Sequence, residues 1–345
     1  MSRDLFERAS DMSSFIRHIT PVAPGRAGGA LAEVYAQVDA EFSSIGPAVM
    51  MMSPAPQLMA AGWSLMREAQ LAGDAPVLER TMVALGAARA NELAYDVEAF
   101  LSVLRLLGET ELADTVARGE RPADERLAAL LSWASSTGVA GREPEPFPGG
   151  PVAEYAGTLL FTHFIDRVAA AMLPPGLTPG TMDPSDEPAF EGAPVLHGLR
   201  RVLPPGTTLP LLADLPTGKE PAWAAGLPIG TAYAALTATA AQGAGLLTPA
   251  ASATAERVIA GHRGRRLSTE SVDALLDDAL QPLPAGEREG ARVAILAGLA
   301  PEAISDADVA AWRATDRRLS DHCTVHLLAY GAMTAVTHIE ADLAL

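Results

Sequence analysis

Apolar residues recur at every third or fourth position along much of the chain, which is the spacing of one buried helical face. Val97, Leu101, Leu104 and Leu107 give one example. Ser305 precedes Asp306 and Asp308, a pattern typical of a helix N-terminus, because the hydroxyl and the acids satisfy its free amides. No stretch alternates apolar and polar residues as a half-buried strand does. The pattern predicts an all-α protein.

A proline-rich stretch over residues 174–221 divides the chain. It contains eleven prolines, so long regular helix is excluded and extended or turn structure is expected. We therefore predict a helical domain over 1–173, a connector over 174–221 and a second helical domain over 222–345.

The stretch from Pro221 to Ala255 contains no charged residue, and it is long enough to cross a bilayer. Pro228 and Pro249 interrupt it, and glycine and threonine are frequent. The composition favours a buried helix pair over a membrane span.

The segment from Arg80 to Gly108 resembles the signature helices of the alkylhydroperoxidase D and carboxymuconolactone decarboxylase family. Peroxidatic members carry a Glu, then a Cys-x-x-Cys pair, and a His four residues after the second Cys. The corresponding positions of this chain are occupied by Thr81, Leu93, Asp96 and Phe100. The resemblance implies that the chain keeps the family's helical scaffold but lacks its thiol chemistry.

Further stretches over 31–73 and 155–173 are similar to the family's opening and last core helices, so the resemblance covers roughly residues 17–173. It implies an all-helical fold that usually oligomerises. Residues 240–261 also align without a gap on 87–108, and 326–336 align on 158–168. We therefore predict that the second domain is a degraded copy of the first, the alternative being an unrelated helical domain. A fused copy favours a homo-oligomer of low order.

Asp96 is the first candidate catalytic residue, because it occupies a position where the family presents its reactive group. If the helix is continuous, Glu92 lies four residues away on the same face, where each carboxylate raises the proton affinity of the other. Such a pair is suited to acid and base catalysis. Thr81, Tyr95 and Phe100 are predicted to contact a substrate beside it. The alternative is a solvated acidic helix face.

His163 and Arg167 form a second candidate catalytic group, one helical turn apart, with Asp166 between them as a possible substrate contact. The arginine could anchor a substrate carboxylate and the histidine could carry a proton. The alternative is a structural pair that holds helices together.

His322 and His326 lie four residues apart with Cys323 between them, a spacing that metal sites also use. No third ligand is identifiable, so helix packing is favoured, and we expect neither a metal nor a cofactor. Cys323 is the single cysteine, so no thiol is available to resolve a sulfenic acid within the chain.

The charge balance sets the class of partner. The chain of 345 residues has 42 acidic and 25 basic residues, a formal charge of −17, which disfavours nucleic acid and anionic membranes. A small-molecule ligand is the expected partner. The N-terminus lacks a secretory pattern, so we expect a cytoplasmic protein. A single lysine and abundant Ala, Gly and Pro are typical of a GC-rich bacterial source.

Two functions remain open at this point. One is non-redox acid and base chemistry, of the decarboxylase, lyase or isomerase type, on a small apolar or carboxylated metabolite. The other is a catalytically silent binding or assembly subunit. An alkyl hydroperoxide reductase is the third and least favoured alternative, because Leu93 and Asp96 cannot act as thiols.

Overall fold

The structure is a computed structural model that describes residues 16–41, 47–137, 145–147, 151–174, 176–177, 201, 203–343 and 345. The N-terminal half contains helices α1 Ala30–Glu41, α2 Pro47–Met50, α3 Pro56–Met66, α4 Val77–Ala90, α5 Ala94–Leu106, α6 Thr110–Ala117, α7 Glu125–Ser135 and α8 Val152–Met172. The C-terminal half contains α9 Pro228–Ala241, α10 Pro249–Gly261, α11 Thr269–Leu280, α12 Ala285–Leu299, α13 Asp306–Ala314 and α14 Asp321–Leu343. The predicted all-α fold is confirmed.

The prolines of the uncharged stretch mark helix starts. Pro228 begins α9 and Pro249 begins α10, because proline is tolerated in the first helical turn, where the amide would be unpaired. Ser305 caps α13 as predicted, in a reciprocal capping box with Asp308. In the described ranges, no helix combines the length and apolar character that a bilayer crossing requires.

One apolar core runs through both halves. Helix α3 packs against α9, and the long helices α8 and α14 pack against each other. A smaller apolar cluster lies between α4, α5, α6 and α7, and Leu101 and Leu104 from the predicted stripe belong to it. The two halves therefore stabilise each other, whereas the duplication itself stays a prediction.

Part of the proline-rich connector is fixed to the N-terminal half. Helix α3 continues into a π-helical turn over Arg67–Leu71, which buries the side chains of Arg67 and Glu68. Arg67 donates to the carbonyl of Pro204, and Glu68 accepts from the Gly206 amide and the Thr208 hydroxyl. The connector is thus packed over its described residues, while 178–200 lie outside the described ranges.

Helices α12 and α14 approach so closely that glycine is required at their contact. A methyl group added at Gly331 would lie 2.1 Å from the carbonyl oxygen of Ala294. The first turn of α12 provides a contrast, because a methyl group at Gly286 would meet nothing within 4 Å.

We expect Gly331→Ala to lower the free energy of unfolding by roughly 1–3 kcal/mol or more, because the methyl group forces the helices apart. Gly286→Ala should leave stability equal or slightly higher, since alanine has the better helix propensity. Urea unfolding of both variants measures the difference. Equal stability of the two variants would show that the α12–α14 contact is not close-packed.

Candidate active site

The turn between α4 and α5 brings a polar side chain into the core. Asn91 follows the last residue of α4 and is fully buried, whereas Glu92 is exposed with a φ of 54°. Because α4 ends at Ala90 and α5 begins at Ala94, Glu92 and Asp96 do not share a helix. The predicted Glu92–Asp96 pair on one helical face is therefore wrong.

Asp96 pairs instead with Asp166 on α8. Their carboxyl groups lie within hydrogen-bonding distance of each other. Asp166 is fully buried and Asp96 is half-buried at the start of α5. Burial raises the pKa of both carboxyls, and the charge of Asp96 raises the pKa of Asp166 further. Two carboxyls at this distance favour a state in which they hold one proton between them.

The hydrogen bonds of Asp166 are consistent with a proton shared with Asp96. Its Oδ2 accepts from Asn91 Nδ2 at 2.7 Å, but its Oδ1 faces no N–H or O–H donor in the described part of the chain. Buried carboxylate oxygens without a donor are costly. A proton shared with Asp96 would supply the missing partner.

Arg167 connects this group to the C-terminal half. Its Nε donates to the carbonyl of Gly298 at 3.0 Å, and its Nη2 donates to the carbonyl of Gly264 at 2.7 Å. Its Nη1 donates to Asn91 Oδ1 and to the carbonyl of His163, both at 2.9 Å. Burial lowers the pKa of Arg167 to about 9, so the guanidinium stays charged at neutral pH.

His163 is buried beside the same amide. Its Nδ1 lies 2.8 Å from Asn91 Oδ1, and its Nε2 lies 2.7 Å from Thr137 Oγ1. The Asn91 oxygen only accepts, since the amide nitrogen faces Asp166, so Nδ1 carries a proton. The Thr137 hydroxyl also lies 2.7 Å from the carbonyl of Ala134, which competes with Nε2 for its single hydrogen. Burial and the charge of Arg167 hold the pKa of His163 well below its usual range. The imidazole is therefore neutral.

The structure thus brings together Asp96, His163, Asp166 and Arg167 as a buried network, with Asp96 as the half-exposed member. Asn91 is the residue that sequence reasoning missed, and it contacts three of the four. Asparagine is common at the residue that follows a helix, so the position of Asn91 in the sequence did not indicate a functional role.

The chain is 34% identical over 330 residues to the protein named Alkyl hydroperoxide reductase Rv2159c of Mycobacterium tuberculosis, and the match covers 94% of each chain. No family model matches the chain, and no solved structure matches it. The chain belongs to the alkylhydroperoxidase D and carboxymuconolactone decarboxylase family. The assignment of Leu93 and Asp96 to the family's two cysteine positions stays a prediction.

The other residues that were predicted at family positions pack within the fold. Leu93 precedes α5 and packs against the main core, and Phe100 packs against the smaller cluster. Thr81 is buried in α4, where its hydroxyl donates to the carbonyl of Val77. Tyr95 is half-buried next to Asp96, and burial raises the pKa of its hydroxyl. Of these predicted contacts, Tyr95 lies nearest in sequence to the carboxyl pair.

The thiol lies apart from this network, at the start of α14. Cys323 Sγ is 3.6 Å from Ser320 Oγ and 3.8 Å from the carbonyl of Arg318. The rings of His322 and His326 are 4.5 Å apart, and burial lowers the pKa of His326 to about 4. In the described ranges, no third ligand joins these histidines to form a group that could hold a metal.

A separate cavity of about 610 Å³ lies between α9, α10 and α14 of the C-terminal half. Its walls include Ala253, the position that aligns with the family's histidine in the predicted second copy, together with Arg257, Tyr330 and His338. The hydroxyl of Tyr330 donates to Glu256 at 2.8 Å. This cavity is distinct from the Asp96 network.

Replacing Asp166 by asparagine should change how stability depends on pH. A carboxyl with a raised pKa in the folded state costs stability as pH rises from about 4 towards that pKa, because the unfolded chain ionises first. The asparagine mimics the protonated acid: its oxygen can accept from Asn91 and its amide can donate to Asp96. We therefore expect the free energy of unfolding of Asp166→Asn, relative to that of wild type, to rise by roughly 1 kcal/mol or more from pH 5 to pH 8.

Urea unfolding at pH 5, 6.5 and 8 measures this change, with the exposed Asp278→Asn as the matched control. The free energy of unfolding of the control should differ from that of wild type by the same amount at each pH. A constant loss of stability in Asp166→Asn at all three pH values would mean that Asp166 is ionised and serves as a charge partner of Arg167.

Proposed function

We propose that the chain is a non-redox member of its family whose Asp96–Asp166 pair transfers protons to and from a small molecule. The observation that supports this most directly is the buried pair itself, in which both carboxyls have raised pKa values and Asp96 is the residue predicted to align with a cysteine of the family. Enzymes that work by acid and base catalysis use side chains whose pKa lies near the working pH.

Each residue takes a separate role in this proposal. Asp96 is half-exposed and is the group that meets the substrate, while Asp166 holds or returns the shared proton behind it. Asn91, His163 and Arg167 are positioning residues, because their hydrogen bonds fix Asp166 and its helix. One proton on two carboxyls allows Asp96 to accept a proton in one step and donate it in the next.

The reaction type that this arrangement serves is proton transfer at carbon or oxygen, as in a decarboxylase, lyase or isomerase. Thiol peroxidase chemistry is not proposed, although the mycobacterial relative is named an alkyl hydroperoxide reductase. That chemistry needs a thiolate and a resolving thiol, and Cys323 is the single cysteine of this chain.

A silent binding or assembly subunit is the second candidate, and one observation favours it. Asn91, His163, Asp166 and Arg167 are each at most 2% exposed, so most of the network is closed to a substrate. The hydrogen bonds of Arg167 to Gly264 and Gly298 also join the two halves, which is a structural task. In that case the chain assembles as a homo-oligomer of low order without turnover.

We expect Asp96→Asn to lower the turnover rate of the proposed activity by roughly two to four powers of ten, because it removes the titratable proton acceptor at similar shape. Cys323→Ala should leave turnover unchanged. Rates are measured on candidate small carboxylic acids by solvent deuterium exchange, with circular dichroism as the check of folding. Unchanged turnover in a folded Asp96→Asn, or loss of turnover in Cys323→Ala, would exclude the proposal.

A further inference from the structure

The cavity between α9, α10 and α14 is formed by helix faces that carry small side chains. One wall is the face of α10 that contains Ala253 and Ala260. A second wall is a face of α14, on which the lining residues recur every three or four positions from Tyr330 to His338, and α9 adds Ala241. These small side chains leave a space of about 610 Å³ where three helices would otherwise pack together.

The cavity has the size and access of a small-molecule site. Ligand pockets in proteins occupy roughly 300–1,000 Å³, and the volume of about 610 Å³ falls within that range. Its walls include Ala253, Glu256 and Arg257, which are exposed, so a ligand can enter from solvent. A stable contact with another protein needs a surface of roughly 1,000 Å² or more. A concave space between three helices therefore suits a small molecule better than a protein.

The polar groups of the cavity offer both hydrogen-bond acceptors and donors. Thr334 Oγ1 donates to the carbonyl of Tyr330 at 2.7 Å, and Thr337 Oγ1 donates to the carbonyl of Thr334 at 2.8 Å. Each hydroxyl has given its single hydrogen to the helix, so its oxygen can only accept from a ligand. Arg257 supplies donors, since it has no hydrogen bond or ion pair with any residue that the structure describes.

The two charges on the α10 wall oppose each other. Glu256 and Arg257 are neighbours in sequence, and Glu256 accepts from the Tyr330 hydroxyl at 2.8 Å, which keeps the carboxylate at the cavity. An anionic ligand would be repelled by Glu256 and by the formal charge of −17. A cationic ligand would be repelled by Arg257. A neutral ligand avoids both penalties.

We propose that this cavity binds a small neutral molecule with an apolar ring and a hydroxyl group, such as a phenol. The ring would contact the alanine methyl groups of α9 and α10 and the side chain of Met333. A hydroxyl both donates and accepts, so one group can donate to Thr334 or Thr337 and accept from Arg257. The site shares no residue with the proton-transfer network of the proposed function.

Equilibrium dialysis at pH 7 with 2-naphthol tests the proposal. Three further probes keep the ring and change the polar group: 2-methoxynaphthalene accepts but does not donate, 2-naphthoate is an anion and 2-naphthylmethylamine is a cation. We expect 2-naphthol to bind at one saturable site per chain. The methyl ether should bind roughly 3- to 10-fold more weakly, the loss expected for one neutral hydrogen bond. Both charged probes should also bind more weakly than 2-naphthol.

Filling the space assigns the binding to this cavity. Ala260→Phe occupies the cavity with a ring of its own and should remove most of the 2-naphthol binding. Ala310→Phe is the matched control, because it adds the same ring at an exposed position of α13 that does not line the cavity. If Ala260→Phe does not fold, Ala253→Phe fills the cavity from a more exposed position of the same wall.

Removing single polar groups tests how the hydroxyl is held. The double variant Thr334→Val, Thr337→Val should weaken 2-naphthol binding by roughly 3- to 10-fold and leave the methyl ether unchanged, because the ether has no hydrogen to donate. Arg257→Ala should weaken the binding of both probes. Arg317→Ala is its control, since it removes the same charge from an exposed residue between α13 and α14 and should weaken neither.

Four results would overturn the inference. The absence of saturable 2-naphthol binding would mean that the cavity holds only water, and tighter binding of either charged probe would exclude a neutral ligand. Unchanged affinity in a folded Ala260→Phe would place the binding elsewhere. A mass in sedimentation that falls in Ala260→Phe but not in Ala310→Phe would make a second copy of the chain the occupant.

The proposed activity is judged separately from this site. Asp96→Asn should bind 2-naphthol as wild type does, whether or not its turnover is lost, and Ala260→Phe should keep the turnover of wild type.

Discussion

One buried charged group, the guanidinium of Arg167, joins the two halves of the fold by hydrogen bonds. A charged group this deep is tolerated only when its N–H groups are satisfied, and backbone carbonyls of Gly298 and Gly264 supply that from the C-terminal half. Asn91 satisfies another N–H from the N-terminal half, and its amide nitrogen then faces Asp166. The position of α8 and the orientation of Asn91 are therefore consequences of one interaction.

This network includes Asp96, a residue predicted to align with one of the family's cysteines. A cysteine pair needs exposure and a lowered pKa, whereas Asp96 and Asp166 meet in a buried site that raises the pKa of both. Leu93, which is predicted to align with the other cysteine, packs against the apolar core. On that predicted alignment, a proton-holding pair and a packing residue stand in place of a redox pair, which is why proton transfer is the chemistry we propose.

The sequence predicted helix starts and buried helical faces well, because residues that are close in sequence determine both. Repeats of three and four placed Leu101 and Leu104 in a buried face, Ser305 capped a helix, and Pro228 and Pro249 began helices. It also selected Asp96, His163, Asp166 and Arg167, which the fold brings together. It failed where a turn intervened, since the break at Asn91 separates Glu92 from Asp96. The role of Asn91 depends on contacts between distant segments, which spacing along the chain does not encode.

Asp96 and Asp166 should hold one proton between them at neutral pH. Infrared spectroscopy measures this directly, because a protonated carboxyl and a carboxylate absorb at different frequencies. We expect a protonated-carboxyl band at pH 7 that is absent from the Asp96→Asn, Asp166→Asn double variant and disappears only at higher pH in wild type. A wild-type spectrum in which all aspartates are ionised by pH 5 would contradict it.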